Sequence, residues 1–261
     1  MTLSCKNDTI YEGDDMYFED TTEAGKINSL ETWFDVAPPM GGIKQWRDGR
    51  SAKELARYMT SGFPQLPVEI EDALKPFAPQ DSVFKWGAEY VTDFAHSGFG
   101  LGMGRNHDAV IFNSNVFVGV EGKADEPFGD KTIADELNKA SVNKTTRINK
   151  LVDLVFGDEP NNHLKLRYQL LTACGGVLLE AKNRRIPNAM LLVVVFLKEG
   201  LDEQGHLYYE EDKRQANHKD WECFLQQIKA KKLPNGCYEV PMCATRSGIN
   251  LYVQKIEIPV K

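Results

Sequence analysis

The stretch that decides the reading of this chain is Asp108-Ala-Val-Ile-Phe-Asn-Ser-Asn-Val-Phe-Val-Gly-Val-Glu-Gly-Lys123. Two runs rich in β-branched and aromatic residues, HDAVIF and NVFVGVEGK, are joined by the turn formers Asn113, Ser114 and Asn115. That pattern predicts a β-hairpin. Antiparallel pairing brings the end of the second strand back beside the start of the first. Asp108 and Glu121 therefore meet at one end of the hairpin, although twelve residues separate them. Side chains alternate along a strand, so Glu121 and Lys123 share a face. Two carboxylates and one ammonium converge there.

Working outward, Pro38, Pro39, Gly41 and Gly42 mark a break, and Ser51 with Glu54 reads as the capping box of a helix over 51–62. VEIEDAL after Pro67 is a second short helix, and 84–94 is a strand. The glycine-rich SGFGLGMGR is neither a P-loop nor a dinucleotide fingerprint, since no helix and no Gly-Lys-Ser/Thr follow it. It reads as a mobile connection, or as a loop approaching a phosphodiester with Arg105 on the phosphate. Helices are predicted over 131–140, 144–155 and 162–182. Next comes AMLLVVVFLKE, an uninterrupted apolar strand buried on both faces. The tail adds a helix over 218–231 and the β-runs GCYEVP and INLYVQKIEI. The order is that of an α/β chain around one sheet.

Two carboxylates beside a lysine suit metal-assisted phosphodiester hydrolysis. Asp108, Glu121 and the Gly122 carbonyl are hard oxygen donors for Mg²⁺, with Mn²⁺ as the alternative. Lys123 is placed to orient the attacking water or to stabilise transition-state charge. The same three side chains would equally form a structural ion-pair cluster.

Asp108, a twelve-residue spacer and Glu121-Gly122-Lys123 resemble the PD-(D/E)XK nuclease superfamily, over residues 51–198. The resemblance implies a restriction-endonuclease-like α-β-β-β-α-β core with a mixed central sheet. Residues 1–50 are then an acidic leader and 199–261 a C-terminal α+β extension. It also implies a nucleic-acid partner, with DNA ahead of RNA, and leaves a homodimer open. The position before the aspartate is His107 rather than the motif's proline. Many members use an extra helical acid. Glu54, Glu69, Glu71 and Glu89 are the candidates, and Glu71 is preferred. A polar residue from the helix after Glu-x-Lys often reaches the site, which singles out Arg167 and Gln169. The rival reading is a non-catalytic binding or interaction module that keeps the fold. A third is a metal-dependent hydrolase of a smaller phosphorylated substrate.

Composition agrees with an ordinary globular chain: 42% of the 261 residues are hydrophobic and 26% charged, which argues against a disordered or fibrous one. No apolar run reaches the roughly 18 residues of a membrane span, and the N-terminus does not read as a signal peptide. The expectation is a cytoplasmic protein with no membrane partner. Five widely spaced cysteines without CxxC, and five histidines without HExxH, argue against a disulfide framework or a zinc site. The net charge of −7 disfavours a nucleic-acid binder until its distribution is considered. Residues 1–35 carry all of it, and 139–185 carry a local +5. The acidic segment is a solvated surface or a shield over a basic groove. Lys144, Arg147 and Lys150 form a row that is solvated or contacts a nucleic-acid backbone. Asp125 and Glu126 either join the site through water or cap the next helix. Cys174, His163 and the four tryptophans read as structural.

Overall fold

A computed structural model of the chain describes residues 17–20, 27–78, 83–100, 104–124, 126–201, 205, 207–208, 210–241 and 247–260. Its strands are β1 (Tyr17–Asp20), β2 (Val83–Thr92), β3 (Arg105–Phe112), β4 (Val116–Lys123), β5 (Asn188–Lys198), β6 (Lys231–Lys232), β7 (Tyr238–Val240) and β8 (Asn250–Val260). They form one mixed sheet in the order β1-β2-β3-β4-β5-β8-β7-β6. The expected hairpin is β3–β4, and β5 lies parallel to both β4 and β8. The helices are α1 (Leu30–Val36), α2 (Ser51–Thr60), α3 (Val68–Leu74), α4 (Ile133–Asn138), α5 (Val142–Phe156), α6 (Tyr168–Arg184) and α7 (Glu211–Gln227). The chain is thus a mixed α/β protein. No helix among the described residues is long and apolar enough to cross a membrane.

The two faces of the sheet carry two cores, and β5 shows why. Ala189, Leu191, Val193 and Val195 pack with α5, α6 and α7. Met190, Leu192, Val194 and Phe196 pack with α1, α2 and α3. A strand covered on both sides has no polar face to show, hence its unbroken apolar run. Each fully buried aliphatic side chain there stabilises the fold by about 1.5–3 kcal/mol.

Several boundaries differ from the sequence expectation. Helix α6 starts at Tyr168, not at 162. The carbonyls of Leu164 and Leu166 accept from Ala134 and Ile133, and the Tyr168 N–H donates to Lys131. That short bridge holds the backbone extended through Arg167. Helix α7 begins at Glu211, seven residues early, within the polar run EDKRQAN that carries no apolar periodicity. Ser51 is the first residue of α2 and makes no cap hydrogen bond. Glu54 instead accepts from the Gly49 N–H at 2.6 Å and pairs with Arg57 and Lys198. The cap of α4 is Thr132 with Asp135. Glu126 accepts from the Ala124 N–H, and Asp125 lies outside the described residues.

Parts of the acidic leader, residues 1–50, pair with the sheet and enter the core. The strand β1 runs parallel to β2 from Tyr17 opposite Val83 to Asp20 opposite Trp86. Ile27 and Trp33 are buried in the core on the α2 face. The rest of residues 1–26 lies outside the described residues.

One packing detail governs the site. The His107 ring is fully buried in a slot between β4 and α6 that only glycines leave open. A Cβ on Gly119 would come within 2.7 Å of its Nδ1, and one on Gly176 within 2.6 Å of its Nε2. Gly176→Ala is therefore expected to destabilise the fold by about 1–3 kcal/mol, the usual effect of overpacking a rigid core. A chemical-denaturation midpoint equal to that of the parent protein would show the slot to be slack.

Candidate active site

The site is built where two strands break step together. Ala88 pairs with Ala109 and Tyr90 with His107, but Glu89 and Asp108 between them are unpaired. Glu89 takes a left-handed φ of 48° inside β2. On β2, Phe84, Trp86 and Ala88 face α2, yet Tyr90 packs on the α6 side. On β3, Ala109 faces α2 and Val110 faces α6, yet His107 sits against Gly176 of α6. Alternation therefore slips by one residue on both strands. A non-glycine residue held in that region costs of order 1–3 kcal/mol, and such strain clusters at functional sites.

The slip turns apart the two carboxylates expected to converge at this end of the hairpin. Asp108 turns into a cavity of 480 Å³ that Gly122, Lys123, Glu89 and Gln169 also line. Its Oδ2 accepts the Gly122 N–H at 2.8 Å. Glu121 stays on the α6 side, nearly inaccessible. There it is ion-paired to Arg105, lies 3.6 Å from His107 Nδ1 and accepts from Gln169 Nε2 at 3.3 Å. Lys123 Nζ donates to Gln169 Oε1 at 3.2 Å, so one amide bridges the acid and the base of the Glu-x-Lys pair. Gly122 packs closely on α2: a Cβ there would lie 3.2 Å from Leu55 Cβ and from the Ser51 carbonyl.

Electrostatics divide the two acids further. Burial, and then the charge of Glu121, push the Asp108 carboxyl up to about 7. Burial also acts to raise Glu121, but Arg105, His107 and Lys123 together outweigh it and hold that carboxyl down at about 2. Burial raises Glu89 as well, against the hydrogen bond it accepts from Asn106 at 2.6 Å. The His107 imidazole is pushed down by burial, toward its neutral form.

Of the residues singled out from sequence, Arg105, Asp108, Gly122, Lys123 and Gln169 line one cavity, with Glu121 behind them. Glu71 does not take part. It lies on α3, whose chain runs on to Phe77 at the turn end of the hairpin, where Asn115 donates to the Phe77 carbonyl. The further acids on the cavity wall are Glu89 and Glu126. Arg167 is held by Asp220 at 2.8 Å and the Asp130 carbonyl, away from the cavity. Arg105 pairs with Glu121 rather than standing free on the glycine-rich loop. The row on α5 braces that loop: Arg147 donates to the Phe99 and Gly100 carbonyls and Lys150 to that of Gly98, while Lys144 pairs with Glu136. Residues 101–103 of the loop lie outside the described residues. Sequence reasoning missed Lys44 and Arg50, basic wall residues of the cavity inside the segment read as acidic leader. It also missed Asn106, which carries no motif.

A hard divalent cation suits this donor set. Mg²⁺ is commonly held by one or two carboxylates and completes its shell with water. Asp108, Glu89 and Glu126 bring such oxygens to the cavity wall, while Glu121 lies behind it against Arg105. No group of three or more His, Cys, Asp or Glu side chains placed to hold a metal occurs among the described residues.

Searches of curated proteins and of solved structures found no match. A family model described as a domain of unknown function, DUF6946, matches residues 26–260, a span that takes in both cores and every residue of the cavity, and the chain belongs to that family.

Proposed function

We propose that this protein hydrolyses nucleic-acid phosphodiester bonds at the cavity lined by Asp108, Gly122 and Lys123, on a restriction-endonuclease-like core. The observation that carries the reading is the Gln169 bridge. One side chain from α6 fixes both Glu121 and Lys123 at the end of β4, beside Asp108. The strand order β2-β3-β4-β5, with α6 between β4 and β5, supports the fold assignment.

Asp108, Glu121 and the Gly122 carbonyl would hold Mg²⁺ or Mn²⁺. When bound, the cation supplies charge neutralisation at the phosphoryl oxygens and an acidified water. Lys123, its Nζ located by Gln169, donates to the attacking water or to a developing phosphoryl charge. Lys44 and Arg50 on the cavity wall offer phosphate contacts, which position the substrate without reading its sequence.

The direct test is incubation with single- and double-stranded DNA and RNA in Mg²⁺ and in Mn²⁺. Cleavage that disappears in Asp108→Asn is the expected result; none from the parent protein on any substrate overturns the enzyme reading. Calorimetry supplies an independent check. Mn²⁺ binding by the parent protein should weaken at least tenfold in Asp108→Asn, and unchanged affinity would remove Asp108 from the ligand set. The pairing of Glu121 with Arg105 favours the rival, a binding module, and tight nucleic-acid binding without cleavage would establish it.

A further inference from the structure

We propose that Arg105 is a built-in competitor of the cation. Its guanidinium occupies the place at Glu121 that a divalent ion takes, and it must leave before the ion is fully held. The inference rests on the nuclease reading of the site.

Three observations carry it. First, Glu121 is the acid of Glu-x-Lys, yet it does not line the cavity. Its carboxylate is turned to Arg105 on the α6 side. Second, Arg105 is there because of the paired slip at Glu89 and Asp108. With regular alternation, residues 105 and 107 would face α2. With the slip they face Glu121, so the feature that sends Asp108 into the cavity also delivers the competing cation. Third, the pair is imperfectly satisfied. Arg105 Nε is buried and has no hydrogen-bond partner among the described residues, which leaves a donor uncompensated.

Arg105 also has somewhere to go. It lines both the 480 Å³ cavity and a neighbouring one of 640 Å³, and Met40, Asn106 and Gln169 line both as well. The second cavity is bordered by Lys131, Lys144 and Arg147 and by the acids Asp130 and Glu136, the latter paired with Lys144. A guanidinium released from Glu121 stays within these adjoining cavities, where a substrate phosphate is a matching oxyanion. Exchange of one cation for another at Glu121 keeps the buried carboxylate compensated throughout, which a simple departure of Arg105 would not.

The test compares Mn²⁺ binding, by calorimetry and by melting temperature, in the parent protein, Arg105→Gln, Arg105→Lys and Asp108→Asn. Arg105→Gln should bind Mn²⁺ about tenfold more tightly and gain more melting temperature from it than the parent protein does. Arg105→Lys, which keeps a competing charge, should stay within a few-fold of the parent affinity. If Arg105→Gln does not fold without metal, recovery of the fold by Mn²⁺ supports the proposal, and a chain that stays unfolded at saturating Mn²⁺ overturns it. Equal or weaker Mn²⁺ affinity in Arg105→Gln overturns it too. When parent binding is lost in Asp108→Asn, that result spares the nuclease reading. A parent protein that binds no Mn²⁺ sinks both.

Discussion

Lys123→Met is expected to lower metal-dependent cleavage at least 100-fold while leaving nucleic-acid binding within a few-fold of the parent protein. A factor of 100 corresponds to about 2.7 kcal/mol of lost transition-state stabilisation. The side chain is buried, and its ammonium donates to Gln169, with no carboxylate in direct contact among the described residues. A lysine placed by a neutral amide keeps its charge available for a reacting group. Methionine preserves most of the stem and removes the charge, together with the ammonium's position 5.8 Å from the centroid of the Phe128 ring. Single-turnover rates at saturating enzyme give the chemical step apart from binding. Cleavage at the parent rate would remove Lys123 from the chemistry, and a large loss of melting temperature with a proportionate loss of binding would make it a structural counter-ion.

Asp108→Asn and Glu121→Gln should move stability in opposite directions. The Asp108 carboxyl is raised on folding, from 3.8 to about 7. A group of that kind leaves stability intact below its unfolded value and erodes it as pH rises through the folded value. The full penalty above pH 7 is roughly 4 kcal/mol, taking about 1.4 kcal/mol for each pH unit. Asparagine can still accept the Gly122 N–H and carries no charge. Asp108→Asn should therefore melt on the order of 10 °C above the metal-free parent protein at pH 8–9, with the gap closing toward pH 4. Glu121 is held down at about 2, so its contribution is present above 4.5 and is lost as pH falls toward 2. Glu121→Gln removes one partner of a buried ion pair, a change that typically costs about 3–5 kcal/mol. Melting curves from pH 4 to 9 decide the matter. Coincident curves for Asp108→Asn and the parent protein would show that the carboxyl is solvated.

Much of this was legible in the sequence, and the exceptions have physical causes. Gln169 is singled out, with Arg167, only by what the resemblance implies for the helix after Glu-x-Lys, whereas the hairpin and the doubly covered β5 follow from periodicity 2 and an unbroken apolar run. The slip at Glu89 and Asp108 does not, because neither residue is a glycine and no local pattern announces a left-handed glutamate within a strand. Glu71 is the wrong choice among the four acids because the fold sends its short helix to the turn end of the hairpin, whereas Glu89 lies on a strand that borders the cavity. Lys44 and Arg50 lie beyond the acidic 1–35 stretch and belong to no motif, and only the tertiary fold brings them to the cavity. The start of α6 was misplaced because a bridge between 132 and 167 is a long-range contact that helical spacing does not reveal.

The four-residue strand β1 bears on how the protein can be handled. It covers the backbone of β2 from Val83 to Trp86, the outer margin of the sheet. A chain cut back to residue 28 would present those unpaired N–H and C=O groups to solvent beside Val83, which is itself 57% exposed. An uncovered margin of that kind is a template for a second chain. Such a truncated protein should self-associate as its concentration rises, so a gain in nucleic-acid affinity on removing the acidic segment is meaningful only where light scattering shows it to be monomeric.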